Sequence, residues 1–239
     1  MTEPCDLSAV EARRLIGSRR LSPVELLDSC LARAEAVNPA LNALVTVDAE
    51  GARAAARAAE RAVMEGRPLG PLHGLPVAVK DSEATKGMRT TWGSLVHRDE
   101  VPAADDASTS RIRAAGAVIF AKTNLPEFGA GANTRSRLFG ATGNPFGPSL
   151  TCAGSSGGSA VALATGMAPL ATGSDYGGSL RTPASFCGIT GFRPSQPVTK
   201  GKSRLYPVPE FFGNHGYYFT KGFFVVDDQY FSHIGCPVR

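Results

Sequence analysis

Two glycine- and serine-rich turns limit what this chain can fold into. Residues 153–159 read AGSSGGS and residues 174–181 read SDYGGSLR. A helix-like run follows the first turn, and an apolar run over 168–172 precedes the second. The order turn, helix, strand, turn, helix lets Ser155 and Ser179 return to the same edge of a sheet.

Helical segments alternate with short apolar strands upstream of these turns. Ser8 and Ser22 each begin an S-x-x-E capping box, and Asn38-Pro39 is expected to end the second helix. Two more helices are predicted over 49–63 and 108–115. Strands are predicted over 43–47, 77–79 and 117–121. This alternation predicts an α/β fold with a largely parallel sheet.

Composition narrows the class of protein. The chain of 239 residues carries a formal net charge of +4 and five cysteines without a CxxC pair. An odd set of separated cysteines argues against a disulfide framework or a zinc site, and for a reducing, cytoplasmic setting. The N-terminus has neither a basic nor an apolar region and no apolar run approaches about 20 residues, so we expect no signal peptide and no membrane span. We expect no nucleic-acid partner, because the arginines read as solvated helix faces.

The composition changes sharply after Pro194. Alanine is absent from residues 195–239, where aromatic residues crowd together and the only strand-like run is 217–226. We therefore divide the chain into a domain over 1–194 and a tail over 195–239. The tail is either a small appended module or a stretch read in a different frame, and the second is favoured.

The glycine-rich turn permits several kinds of chemistry. It lacks the lysine of a Walker A loop, which argues against nucleotide binding. Residues 154–158 match G-x-S-x-G with Ser156 as nucleophile, but the segment before it is a poor strand. The only later histidines, His215 and His233, lie in the tail. This elbow is the alternative mechanism.

Serine catalysis with a lysine base is the leading mechanism. Lys80 ends an apolar strand, where burial would lower its pKa and let the neutral amine accept a proton. The alternative is a lysine that marks the exit of the strand into solvent. With Ser179 as nucleophile, Gly177 and Gly178 can turn their N–H groups towards an oxyanion. Ser155 could relay the proton to Lys80.

Several motifs resemble those of the amidase signature family. They are LPVAVKD (75–81), KTN (122–124), GSSGGS (154–159), GGSLRTPA (177–184) and GFRP (191–194). The resemblance implies a large mixed sheet between helices, which this shorter chain would form incompletely. It also implies a Ser–cis-Ser–Lys triad made of Ser179, Ser155 and Lys80, with a cis peptide bond before Ser155.

Further roles come from the same resemblance. The oxyanion would be held by the backbone N–H groups of Tyr176, Gly177, Gly178 and Ser179. Ser156 and Asp175 are expected to support the site, and Arg181 either orients it or is structural. No metal and no cofactor is implied.

The function expected from the resemblance is hydrolysis of a small-molecule carboxylic amide through an acyl-enzyme. One alternative is the glutamine-hydrolysing subunit of a tRNA-dependent amidotransferase, which works with partner subunits. Another is an inactive, truncated amidase fragment. A homodimer is an open option for assembly.

Overall fold

The computed structural model describes residues 3–193 and the short strand at 225–226. The strands in this part of the chain are β1 Leu44–Val47, β2 Pro76–Lys80, β3 Val118–Thr123, β4 Arg135–Ser136, β5 Gly140–Ala141, β6 Gly143–Asn144, β7 Gly147–Thr151, β8 Leu170–Ala171, β9 Thr190–Gly191 and β10 Val225–Val226. Six of them form one sheet in the order β1-β3-β2-β8-β10-β9. Strands β2, β3, β8 and β9 run in one direction, and β1 and β10 run in the other. The predicted mixed, mostly parallel α/β sheet is confirmed.

Helices cover both faces of this sheet. Those in the described residues are α1 Ala9–Gly17, α2 Pro23–Leu41, α3 Ala49–Met64, α4 Ala107–Ala114, α5 Gly157–Ala164 and α6 Arg181–Cys187. Two short 3-10 helices, Pro4–Asp6 and Glu127–Gly129, complete the set. One apolar cluster joins α3 and α5 to the sheet, and a second joins α1 and α4 to it. None of these helices is both long enough and apolar enough to cross a membrane.

Strand β2 lies at the centre of the sheet, between β3 and β8. All five of its residues are buried, as are all six of β3. A strand covered on both faces reads as a continuous apolar run, and PVAV fits that pattern. Because β2, β3 and β8 are parallel, their carboxyl ends meet at one edge of the sheet. Lys80 stands at that edge.

The end of α2 differs from the prediction. The helix continues through Pro39 to Leu41 instead of ending at Asn38. Asn42 then adopts a left-handed conformation with φ 53°, and Asn38 Oδ1 accepts the N–H groups of Ala43 and Leu44, each at 2.8 Å. The Asn38 side chain thus caps the chain past the helix end. The proline lies close enough to this end to be tolerated.

One of the two predicted capping boxes is complete. Ser22 and Glu25 cap α2 reciprocally, as expected. Ser8 accepts the N–H of Glu11 at 3.2 Å, but the Glu11 carboxylate pairs with Arg14 Nη2 at 2.6 Å. The second box therefore lacks its return bond, because an arginine one turn on offers a charged partner.

Two further expectations concern segments around the main sheet. The expectation of a poor strand before Ser156 is wrong, because this segment contains β7, which pairs with β6 in a two-stranded hairpin outside the main sheet. Strand β10 falls within the strand-like run at 217–226 and pairs with β8 and β9. Apart from β10, residues 194–239 lie outside the described residues. The division of the chain at Pro194 therefore stays a prediction.

Candidate active site

Lys80 is fully buried at the carboxyl end of β2. Its Nζ donates to the hydroxyl oxygens of Ser155 at 2.7 Å, Ser156 at 2.9 Å and Ser174 at 2.8 Å. The alternative of a lysine that marks the exit of the strand into solvent is wrong. The side chain instead joins the turn at 153–159 to the turn at 174–181.

Burial lowers the pKa of Lys80 to about 7, against the opposing effect of the Glu83 and Asp175 carboxylates. Desolvation disfavours the ammonium form, and hydroxyl groups compensate for it only partly. The neutral amine has two N–H groups and one lone pair. One of its three hydroxyl neighbours must therefore donate to it when the proton leaves. The site can thus hold a neutral amine near pH 7.

Ser155 lies in a turn that the surrounding chain encloses closely. The peptide bond between Gly154 and Ser155 is cis, as the resemblance implies. Thr134 N and Thr134 Oγ1 both donate to Ala153 O, at 2.9 and 2.8 Å. A Cβ atom on Gly157 would lie 2.2 Å from Thr134 Oγ1. Only a glycine fits this approach, which explains part of the small-residue pattern.

Ser179 reaches the same place through its main chain. Ser156 N donates to Ser179 O at 2.9 Å, so the two turns are directly joined. The Ser179 side chain is half-buried and lies two residues before α6. Within residues 3–193, no hydrogen bond joins Ser179 Oγ to Ser155 Oγ or to Lys80 Nζ. The structure therefore brings Lys80 and Ser155 into contact. Ser179 lies beside them through its main chain, but its hydroxyl group does not hydrogen-bond to Ser155 Oγ.

The predicted oxyanion loop is partly engaged. Gly178 N donates to Asp175 Oδ1 at 2.8 Å, so this predicted donor has a partner already. Gly178 has φ 108°, a conformation that favours glycine. Within the described part of the chain, neither Gly177 N nor Ser179 N has a hydrogen-bond acceptor. Of the predicted donors, these two N–H groups are therefore not engaged within the described residues, and their role in an oxyanion hole stays a prediction.

Asp175 is the anchor of this loop. Its carboxylate is buried and accepts Arg181 Nε at 2.9 Å and Arg181 Nη2 at 3.0 Å. It also accepts the backbone N–H groups of Gly178, Leu180 and Arg181. Burial would raise the pKa of Asp175, but the Arg181 guanidinium and these N–H groups hold it well below its ordinary value. The Arg181 side chain, 54% exposed, contacts the loop through Asp175, and whether its role is structural or orienting stays a prediction.

Two residues that hydrogen-bond to Lys80 were not predicted from the sequence. Ser174 Oγ accepts from Lys80 Nζ, and Thr172 Oγ1 accepts from Lys80 N at 2.9 Å. Both follow β8, whose Ala171 pairs with Ala78 of β2. This parallel pairing places the residues after β8 beside the end of β2. The apolar run at 168–172 indicates a strand, but the sequence does not show that this strand lies beside β2.

The alternative elbow mechanism gains no support here. Ser156 Oγ accepts from Lys80 Nζ and from Ser174 N, the latter at 3.2 Å. His215 and His233 lie outside the described residues.

In the described chain, Glu3, Cys5 and Asp6 are the side chains grouped closely enough for a metal. Arg33 Nη2 already donates to both carboxylates, each at 3.0 Å.

Comparison with known proteins places this site in a family. The family model described as Amidase matches residues 25–211. The glutamyl-tRNA(Gln) amidotransferase of Azoarcus sp. (strain BH72) has a subunit that is 48% identical over 191 residues, which are 80% of this chain and 39% of that protein. The chain thus spans about two fifths of the length of this curated relative.

Solved structures agree with the family model. A crystal structure of an amidase superimposes with a TM-score of 0.74 at 41% identity, covering 80% of this chain and 44% of the other. A fatty acid amide hydrolase superimposes with a TM-score of 0.77 at 30% identity, covering 81% and 35%. The chain belongs to the amidase signature family.

Proposed function

We propose that this chain carries the catalytic centre of an amide hydrolase that works through a serine acyl-enzyme. The observation that carries the proposal is the buried Lys80 amine, which is 2.7 Å from Ser155 Oγ and has a pKa lowered to about 7. A lysine that is half neutral near pH 7 can act as a general base without a histidine.

The reaction begins with the proton of Ser179. Ser179 Oγ attacks the amide carbonyl carbon, while its proton passes to Ser155 Oγ and the Ser155 proton passes to Lys80 Nζ. The N–H groups of Gly177 and Ser179 stabilise the negative charge that develops on the carbonyl oxygen. Hydrogen bonds of this kind are often long in unliganded sites, so the open Ser155–Ser179 gap is compatible with this route.

The second half returns the proton. The C–N bond breaks as the leaving amine takes a proton from Lys80 through Ser155, which leaves an ester on Ser179. Water then attacks this ester and gives a proton to the same relay. The C–O bond to Ser179 breaks, Ser179 Oγ takes that proton back, and the carboxylic acid is released. Ser156 and Ser174 hold the Lys80 amine in place, and Asp175 with Arg181 fixes the loop that carries the nucleophile.

Active-site labelling tests the proposal directly. The purified chain is treated with a fluorophosphonate probe and assayed on a p-nitroanilide amide. We expect labelling and turnover that Ser179→Ala and Lys80→Met abolish. Ser110→Ala, which changes an exposed serine of α4, should leave both intact. Labelling that survives Ser179→Ala would show that the nucleophile is another residue.

A second candidate substrate is glutamine. The 48% identity to one subunit of a glutamyl-tRNA(Gln) amidotransferase favours it. In this case the chain would release ammonia from glutamine and work with partner subunits. We expect Ser179-dependent ammonia release that rises on addition of the partner subunits. Hydrolysis of simple amides without any glutaminase activity would favour the plain amidase.

The third possibility is an inactive fragment. The match covers 39% of the Azoarcus relative, so most of that relative's length lies outside the matched region. A folded chain that neither turns over amides nor reacts with the fluorophosphonate would support this possibility. The cytoplasmic setting and a homodimer stay predictions from the sequence, and size-exclusion chromatography tests the second.

A further inference from the structure

A second lysine, Lys122, is fully buried near the same edge of the sheet. Its Nζ donates to Thr85 Oγ1 at 2.8 Å and, over a short contact, to Glu83 O. The proposed acyl transfer does not use this group. Burying a charged amine costs free energy unless it is paired and hydrogen-bonded, so the position of Lys122 needs an explanation.

The register of the sheet relates the two lysines. Val79 pairs with Lys122, and Lys80 pairs with Thr123. Because side chains alternate along a strand, Lys80 and Lys122 lie on opposite faces at the same end of the sheet. Lys122 contacts the loop that follows Lys80, because its Nζ donates to Glu83 O and Thr85 Oγ1.

Lys122 secures a loop that is also held by its backbone. Asp81 N donates to Thr123 O at 3.1 Å, and Glu83 N donates to Lys80 O at 2.9 Å. The Asp81 carboxylate accepts Thr91 N at 3.1 Å. Together with the Lys122 contacts, these hydrogen bonds fix the end of β2 and therefore the backbone position from which the Lys80 side chain extends.

The two amines also share a counter-charge. Burial lowers the pKa of Lys122 to about 8, against the carboxylates around it, which are Asp81, Glu83, Asp106 and Asp105. The carboxylates that act on Lys80 are Glu83 and Asp175. Glu83 therefore acts on both lysines. Glu83 is 4% exposed and its carboxylate accepts from Ser108 Oγ at 3.1 Å, so water screens it little.

We propose that Lys122 is a positioning residue for Lys80. It ties down the loop after Lys80 and balances the Glu83 charge that would otherwise keep the Lys80 amine protonated. This inference rests on the proposed function, in which Lys80 must be neutral to accept a proton.

The sign of the effect follows from the charges. Removing the Lys122 cation leaves the Glu83 and Asp81 carboxylates less compensated, which favours the ammonium form of Lys80. The Lys80 midpoint then moves to higher pH. Removing the Glu83 charge has the opposite effect, because one attractive partner of the ammonium form is lost. A purely structural role for Lys122 predicts no rise of the Lys80 midpoint when the Lys122 charge is removed.

Direct titration of Lys80 tests the proposal. The full chain is labelled with carbon-13 at the lysine side chains, and the Lys80 signal is assigned with Lys80→Met. We expect its NMR midpoint to rise by about half a pH unit or more in Lys122→Met and to fall in Glu83→Gln. Lys122→Arg, which keeps the charge, should stay close to the wild type. Lys86→Met removes an exposed charge from the same loop and should shift nothing.

The outcome does not depend on catalysis. If Ser179 is not labelled by the fluorophosphonate, the proposed function fails while the Lys80 titration can still be read. A Lys80 midpoint that stays unchanged in Lys122→Met or in Glu83→Gln, with the chain folded by circular dichroism, overturns the inference. If Lys122→Met does not fold, Lys122→Gln, which also removes the charge, takes its place in the titration. In an active chain, the acid limb of the rate profile should move with the NMR midpoint.

Discussion

Asp175→Asn is the change that most directly tests how the nucleophile loop is held. In the wild type, Asp175 Oδ1 accepts Gly178 N at 2.8 Å, while Oδ2 accepts Arg181 Nε at 2.9 Å and two backbone N–H groups at 3.3 and 3.4 Å. Asparagine has the same shape but only one acceptor oxygen. If that oxygen keeps the Gly178 bond, its NH₂ group faces three N–H donors.

The magnitude follows from these bonds. The Arg181 guanidinium is exposed on its own side, so water screens the pair and its charge contribution is left out of the sum. The backbone N–H groups of Leu180 and Arg181 lose their acceptor. An unsatisfied buried donor costs about 1–3 kcal/mol, and these two bonds are long, which places each at the lower end. We expect Asp175→Asn to lower the free energy of unfolding by about 2 kcal/mol.

The pH dependence adds a second signature. The folded-state pKa of Asp175 lies below its unfolded value, so its contribution is fully present above about pH 5 and is lost as the pH falls through the folded pKa. The difference between the wild type and Asp175→Asn should be constant between about pH 5 and 8. It should shrink below about pH 4, where the unfolded carboxyl is protonated.

Urea denaturation followed by circular dichroism measures this difference. Asp99→Asn is the matched control, because Asp99 is 83% exposed and, among the described residues, pairs with the exposed Arg98. The control should change the free energy of unfolding by less than about 0.5 kcal/mol. If Asp175→Asn behaves like Asp99→Asn, the carboxylate does not anchor the loop and the reasoning is refuted.

Three further predictions concern the site and its packing. The rate of labelling of Ser179 should fall about tenfold per pH unit below pH 7 and level off above it, because Lys80 must be neutral; a profile that is flat down to about pH 5 contradicts this. Ser174→Ala removes an acceptor from the ammonium form of Lys80, so the midpoint of the same profile should move to lower pH, and a rise would count against the contact. Gly158→Ala should destabilise the fold by about 2–4 kcal/mol in thermal unfolding, since its Cβ would lie 2.4 Å from a backbone nitrogen, whereas Gly177→Ala meets open space and should cost far less.

Much of the fold could be predicted from local patterns. The alanine-rich run produces α3, and Asp48 caps it by accepting Gly51 N at 2.9 Å. The apolar runs that contain Val77 and Ile119 become β2 and β3. These elements depend on residues near them in sequence. The errors came where a distant or charged partner intervened, as when Arg14 took the Glu11 carboxylate from its capping box.

The site was predictable in composition but not in arrangement. The motifs identified Lys80, Ser155 and Ser179, and the structure places the first two in contact. The engagement of Gly178 N by Asp175 was not evident, because a glycine-rich turn does not reveal which way each N–H points. Ser174 was missed because its contact with Lys80 depends on which strand lies beside β2.

The sequence by itself determined the class of fold and the kinds of chemical group at its centre. Apolar runs, caps and small-residue turns act over a few residues, so they can be read along the chain. The tertiary structure alone decided that Lys80 is buried, that three hydroxyl groups surround it, and that Lys122 lies behind it. The physical reason is that burial and charge depend on neighbours brought together across the sheet. The proton affinity of a lysine is set by those neighbours and not by its place in the chain.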